Sequence, residues 1–256
     1  MITAGIDMGA KTIKVVILND SQVVSKSILL GGLDTRQSAE QAFEEALKRA
    51  KLSFGEIEHI TATGAGRRGA PLAHDEVTEV GADARGAAFL FPAPRTVIDV
   101  GAEEGRGIRC DGNGKVVDFV INEKCAAGAG TFTEAMARAL ELKLEEMGKL
   151  SLQATKAVPM NAQCTVFAES EVVSLVHAKT PKADIVRAVH DAIASRIISM
   201  VRRVGVEKEV VLIGGMAKNI GFVDSLKRGL EMDLVVPEEP EFVGALGAAL
   251  IAAERA

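Results

Sequence analysis

Two aspartates, three glycine turns and two cysteines are the residues of this 256-residue chain whose types and spacing could do chemistry. Asp7-Met8-Gly9-Ala10-Lys11-Thr12 joins two apolar runs tightly, and Asp99-Val100-Gly101-Ala102-Glu103 does the same 92 positions later. Such turns can offer successive backbone N–H groups to phosphate oxygens as a nest. Asp7 and Asp99 end their runs, where they would hold Mg²⁺ through the waters that ion keeps. Gly214-Gly215-Met216-Ala217 supplies a third turn and opens a helix whose positive end suits a nucleotide. One Asp-x-Gly alone is an ordinary turn. Three such turns in this order point to a nucleotide site. No stretch fits G-x-x-x-x-G-K-[ST], and no G-x-G-x-x-G follows a strand into a helix.

The cysteines lie in two further segments. Cys125 falls within Asn122 to Phe132 and Cys164 begins Cys164-Thr165-Val166-Phe167-Ala168-Glu169-Ser170-Glu171-Val172, each just before a helical stretch. A helix N-terminus favours a thiolate and any anionic centre it ligates. Two such cysteines from each of two chains make four ligands, enough for a [4Fe–4S] cluster. Zinc is an equally tidy tetrahedral outcome from spacing alone. A buried free thiol, packing as a small hydrophobe, is the plain alternative, and Cys110 inside a strand fits it. Three cysteines form neither a disulfide framework nor a four-thiolate cluster within one chain.

These residues need a scaffold, and the sequence predicts one. Strands are expected at Ile2 to Asp7, Thr12 to Leu18, Val23 to Leu30 and Ile57 to Thr63. Between the last two, Ser38 and Gln41 make a capping box ahead of an apolar stripe of Ala39, Ala42, Phe43, Ala46, Leu47 and Ala50. Gly81 to Phe91 reads as a helix closed by Pro92 and Pro94. The opening then returns, with Val97-Ile98-Asp99-Val100-Gly101 repeating Gly5-Ile6-Asp7-Met8-Gly9. Strands follow at Arg106 to Cys110 and Lys115 to Ile121, and the turn at Asp111 lies 92 positions after Asn19. The matched offsets suggest an internal duplication. Helices are expected at Thr131 to Leu142 (with Thr131 and Glu134 as capping box), Thr165 to His177, Lys182 to Val204, Ala217 to Leu230 and Phe242 to Ala253. Glu209 to Ile213 is a short buried strand and Leu234 to Val236 an edge strand.

Composition narrows the class. A net charge of -5 argues against a general nucleic-acid binder. No apolar run approaches the ~18–20 residues of a membrane span. The start lacks the layout of a signal peptide, so a cytoplasmic protein is expected. Trp and Tyr are absent, leaving few stacking platforms for sugars or bases.

The three glycine turns resemble those of the actin, sugar-kinase and Hsp70 superfamily of ATPases, over nearly the whole chain. The resemblance implies an α/β fold of two ribonuclease-H-like lobes around ATP, built from duplicated βββαβα units. It implies lobe I at 1–94 plus 238–256 and lobe II at 95–237. On it Gly9, Ala10, Lys11 and Thr12 form the first phosphate loop, and Asp99, Gly101, Ala102 and Glu103 the second. Gly214, Gly215, Lys218 and Asn219 line the adenosine, and Gly244 to Ala248 belongs to a connecting helix.

The cysteine segments resemble one branch: the activator ATPases of 2-hydroxyacyl-CoA dehydratases and the ATP-hydrolysing subunits of benzoyl-CoA reductase. The matching stretches are Asn122 to Phe132, Cys164 to Val172, Val211 to Asn219 and Val243 to Ala249, with Gly128 and Gly130 in the Cys-x-x-Gly-x-Gly motif. That resemblance implies Cys125 and Cys164 as ligands of a [4Fe–4S] cluster bridging two subunits. It implies ATP/ADP and Mg²⁺, and a homodimer or a heterodimer with a homologous chain. It also implies a ferredoxin or flavodoxin donor and a dehydratase or reductase that accepts the electron. Three positions depart from the family pattern. Glu103 stands for a Gln that positions the attacking water, Ala10 for Ser or Thr, and Asp83 for a His. Glu103, with Asp7 and Asp99, would then carry the catalytic work. The rival readings are a small-molecule kinase of the same fold, for which Asp75 and Asp83 are available, and a nucleotide-sensing scaffold.

Overall fold

The computed structural model describes residues 1–111, 113–122, 128–160 and 165–256. It is an α/β protein with two sheets. The first half runs β1 (Ile2–Met8), β2 (Thr12–Asn19), β3 (Gln22–Leu30), α1 (Thr35–Ala50), β4 (His59–Thr63), β5 (Asp75–Glu76) and α2 (Glu79–Leu90). The second runs β6 (Thr96–Val100), β7 (Gly105–Cys110), β8 (Val116–Asn122), α3 (Ala129–Ala139), α4 (Leu144–Ser151), α5 (Thr165–His177), α6 (Lys182–Val201), β9 (Val210–Ile213), α7 (Ile220–Leu230) and α8 (Val243–Arg255).

The duplication is visible in the sheets. Their orders are β3-β2-β1-β4-β5 and β8-β7-β6-β9, so each places its first strand between the strand that follows it and a later strand. In the first sheet β1 pairs antiparallel with β2 and parallel with β4. The alternating apolar residues of β1 and β2 bury Ala4, Ile6, Ile13, Val15 and Ile17 against Ala39, Ala42, Phe43 and Ala46 of α1.

Contacts divide the chain into two units. One comprises Met1–Val97, Cys110–Val117 and Glu241–Ala256; the other comprises Ile98–Arg109 and Asp118–Pro240. In the first, α8 packs on β1 and α2 at backbone distance, because its small residues allow it. A Cβ at Gly5 would overlap the Ala245 carbonyl, and one at Gly247 would overlap the Ala82 carbonyl. In the second unit, Phe132, Met136, Val189, Ile193, Leu212, Phe222 and Leu226 share one buried core.

Several local expectations are corrected. Asp34, not Ser38, caps α1, accepting from the Gln37 N–H at 3.0 Å. Ser38 lies one turn in and donates to the Gly31 and Asp34 carbonyls. Thr131 is inside α3, which starts from Gly128 and ends at Ala139. The Ala217 helix begins instead at Ile220, after a 3₁₀ turn over Gly215–Lys218. Leu234 to Val236 contributes a single bridge, Val211 with Val235. Among the described residues no helix is long and apolar enough to cross a membrane.

Gly247→Ala tests the close packing. Overpacking of this kind costs ~1–3 kcal/mol, which lowers Tm by about 2–10 °C in a domain of this size. Gly55→Ala, where a Cβ meets nothing within 4 Å, should leave Tm nearly unchanged in the same calorimetric comparison.

Candidate functional site

Each unit presents an aspartate at the end of its first strand. Asp7 closes β1, and the hairpin register sets it opposite Lys14 on β2. Lys14 Nζ donates to Asp7 Oδ2 at 2.8 Å, both side chains being largely buried. The turn between them is tight: a Cβ at Gly9 would lie 2.8 Å from the Thr12 carbonyl oxygen and 3.0 Å from Lys14 Nζ. Ala10 and Lys11 are exposed at its tip, with Thr12 half-buried. Gly64 follows β4 at φ +93, and its bare Cα lets the chain pass against Asp7 Oδ1 and the Met8 carbonyl.

The second unit repeats this arrangement. Asp99 on β6 accepts from Arg106 Nη1 on β7 at 2.5 Å, and Arg106 also pairs with Glu104. The cation again stands seven residues after the aspartate. Gly214 follows β9 at φ +86, and a Cβ there would strike Asp99 Oδ1 and the Val100 carbonyl. A carboxylate this buried needs an ionised partner, since breaking such a pair costs ~3–5 kcal/mol. Lys14 and Arg106 escaped sequence reasoning. Their signal was a basic residue at the same offset from each aspartate, 92 positions apart.

The turn after Asp99 is seated on the start of α3. Gly101 N–H closes the turn on the Glu104 carbonyl at 2.9 Å. Gly130 N–H donates to the Gly101 carbonyl at 3.2 Å and Thr131 N–H to the Ala102 carbonyl at 3.0 Å. Thr131 Oγ1 donates to that same carbonyl at 2.9 Å, which explains its position inside the helix. Gly128 and Gly130 are glycines for this contact: a Cβ at 128 would overlap Glu103 and Ala102, and one at 130 would lie 2.9 Å from Ala102 Cα. Glu103 is exposed, and it lines a small crevice with Asn122, Gly128 and Arg196.

Beyond Gly214, Gly215 and Lys218 are exposed on the 3₁₀ turn. Asn219 caps α7, its Oδ1 accepting from the Gly221 and Phe222 N–H groups at 3.1 Å each. Thus the structure brings together Asp7 with Gly9 to Thr12 in one unit. In the other it brings together Asp99, Gly101, Ala102, Glu103, Gly128, Gly130 and Gly214. Cys125 and Cys164 lie outside the described residues. Among the described residues no group of three or more His, Cys, Asp or Glu side chains could hold a metal. Cys110 is buried, donates to the Pro94 carbonyl, and has its pKa pushed up to about 11 by burial.

Asp75, one of the aspartates open to a kinase reading, is tied into structure instead. It accepts from Thr61 Oγ1 at 2.6 Å and pairs with Arg255 at 2.8 Å.

The paired strands and repeated strand order define an α/β fold of two sheets, shared with solved dehydratase activators. Within it, the chain belongs to the BadF/BadG/BcrA/BcrD ATPase family, whose model matches residues 4–252. It is 40% identical over 257 residues to the activator of lactoyl-CoA dehydratase from Anaerotignum propionicum, covering 100% of this chain and 99% of that one. It superposes on the (R)-2-hydroxyglutaryl-CoA dehydratase component A of Acidaminococcus fermentans with a TM-score of 0.96 at 37% identity, covering 100% and 98% of the two chains. It also superposes on the activator of the 2-hydroxyisocaproyl-CoA dehydratase from Clostridium difficile, with bound ADPNP. There the TM-score is 0.94 at 36% identity, over 100% and 95% of the chains.

His190 on α6 lies beneath this site, and burial lowers its pKa to about 4. The proton is therefore excluded from the folded state while the unfolded chain binds it near 6.5. Stability from this source is complete above pH 6.5 and is lost as pH falls towards 4. The loss amounts to about 3 kcal/mol at ~1.4 kcal/mol per pH unit. Urea midpoints measured from pH 7 to 4 should fall more steeply for the wild type than for His190→Gln.

Proposed function

We propose that this chain is an ATP-hydrolysing activator that delivers low-potential electrons to a 2-hydroxyacyl-CoA dehydratase or a benzoyl-CoA reductase type partner. A [4Fe–4S] cluster held jointly by two homologous chains, a homodimer or a heterodimer, would be its redox centre. Family membership and the relatives' names support the class. One observation carries the coupling: the turn after Asp99 is hydrogen-bonded to the first turn of α3, whose leading glycine stands three residues after Cys125. A phosphate that draws on this turn would pull on α3 through the two backbone hydrogen bonds and the Thr131 hydroxyl.

The flanks of Cys125 and Cys164 fit a cluster. In the sequence Cys164 immediately precedes α5 and Cys125 stands four residues before α3, and helix N-termini favour thiolate ligands and an anionic centre. Just past Cys164, α5 exposes Val166, Phe167, Val173 and Val176, apolar surface suited to burial by a second chain. Cys110, by contrast, is kept protonated by burial. When bound, the cluster would supply one-electron transfer at low potential.

The remaining roles fall on this chain's own side chains. Asp7 in one unit and Asp99 in the other would each offer a carboxylate to the waters of Mg²⁺, and the ion pairs with Lys14 and Arg106 hold those two carboxylates in place. Gly9, Ala10, Lys11 and Thr12 in one unit, and Gly101 and Ala102 in the other, bind phosphate oxygens through backbone N–H groups. Glu103 stands exposed on the second turn and would orient the attacking water. Gly214, Gly215, Lys218 and Asn219 receive the adenosine. A ferredoxin or flavodoxin in the cytoplasm supplies the electron.

Anaerobic purification with iron and sulfide analysis tests the reading. The wild type should carry about four irons per dimer, and Cys125→Ala or Cys164→Ala should lose them. Asp99→Asn should keep the iron while ATP hydrolysis falls by about 10²-fold or more. Iron-free wild type whose ATPase ignores both cysteine changes would contradict it.

A further inference from the structure

Half-buried Asn219 and fully buried His190 form a polar pair joining α7 to α6. Asn219 Nδ2 lies 3.1 Å from His190 Nε2. The Asn219 carbonyl oxygen is already committed, since it accepts from the Gly221 and Phe222 N–H groups. An oxygen must face those two donors, so the amide nitrogen faces the imidazole and donates to it. His190 Nε2 therefore carries a lone pair, and the ring is neutral with its proton on Nδ1. A fully buried ring held well below the usual histidine range is consistent with that state.

The surrounding backbone is spaced for this pair. A Cβ at Gly221 on α7 would lie 2.8 Å from His190 Nδ1, and one at Gly148 on α4 would lie 2.9 Å from Asn219 Oδ1. Two glycines on two helices thus make room for two polar side chains. Asn219 also ends the 3₁₀ turn whose other end, Gly214, is clamped against Asp99 and Val100. The turn is held in front by β6 and behind by the Asn219 amide.

We propose that His190 is a positioning residue for the Gly214–Asn219 turn. By accepting from Nδ2 it fixes the Asn219 amide in the orientation that caps α7, and so sets the conformation in which the turn receives a nucleotide. The inference rests on the reading of that turn as the adenosine loop. It also assigns Asn219 an indirect role, because its oxygen and one amide hydrogen are spent inside the protein.

The test is calorimetric titration of the full chain with MgADP. His190→Leu should weaken ADP binding about tenfold, the effect of one buried hydrogen bond. His190→Gln, whose amide oxygen reaches the Nε2 position, should bind within about threefold of wild type. Asn219→Ser still caps a helix but is too short to reach His190, and should lose as much as His190→Leu. The double variant His190→Leu/Asn219→Ser should lose no more than either single one. Nitrogen-15 spectra of labelled histidine should show a bare Nε2 at pH 7. If His190→Leu does not fold, His190→Gln and Asn219→Ser carry the test. A folded His190→Leu that binds as wild type, a His190→Gln as weak as His190→Leu, or additive losses in the double variant would overturn the proposal. Wild type that binds no ADP would overturn the nucleotide reading and this inference together.

Discussion

Both units depend on a carboxylate fixed at the end of a first strand. Asp7 and Asp99 are largely withdrawn from water, and a buried anion without a partner costs several kcal/mol. A cation on the neighbouring strand answers each, Lys14 for one and Arg106 for the other. A left-handed glycine after the fourth strand, Gly64 or Gly214, then lets backbone pass beside the carboxylate. Those three requirements fix the hairpin register, the strand order and the place where a turn can open. The same order in both sheets follows from meeting the same constraint twice.

Glycine spacing makes the second unit more than a copy of the first. Gly128 and Gly130 put the start of α3 against the backbone of residues 101–103. The backbone of the turn after Asp99 thus packs directly on the start of α3. In the first unit the same economy appears at Gly5 and Gly247, where α8 meets β1 and α2 without intervening side chains. Small residues here are sites where motion in one element is felt directly by the next.

Much of this was legible in the sequence, because periodicity and repeated Asp-x-Gly turns are local signals. The stripe from Ala39 to Leu47 is buried as its spacing demanded. Caps were less legible: Asp34 and Ser38 are both good N-cap residues one turn apart, and tertiary contacts of Ser38 with Gly31 decided between them. Thr131 looked like a cap until its hydroxyl found the Ala102 carbonyl, 29 residues away. The short helix α4 carries too few turns for a periodic signal. Lys14 and Arg106 acquire meaning only once the fold pairs them with the aspartates. His190 and Asn219 are likewise 29 residues apart, and nothing local marks them as a pair. Cys125 and Cys164 were legible as a motif and lie outside the described residues.

Nucleotide binding should reach α3 through the turn after Asp99, which is hydrogen-bonded to its first turn. Hydrogen–deuterium exchange with and without a non-hydrolysable MgATP analogue tests it most directly. Altered exchange is expected at the amides of residues 128–132 together with those of residues 99–105, and its loss at 128–132 in Gly130→Ala. A nucleotide response confined to residues 7–12 and 99–105, with α3 unchanged, would contradict it.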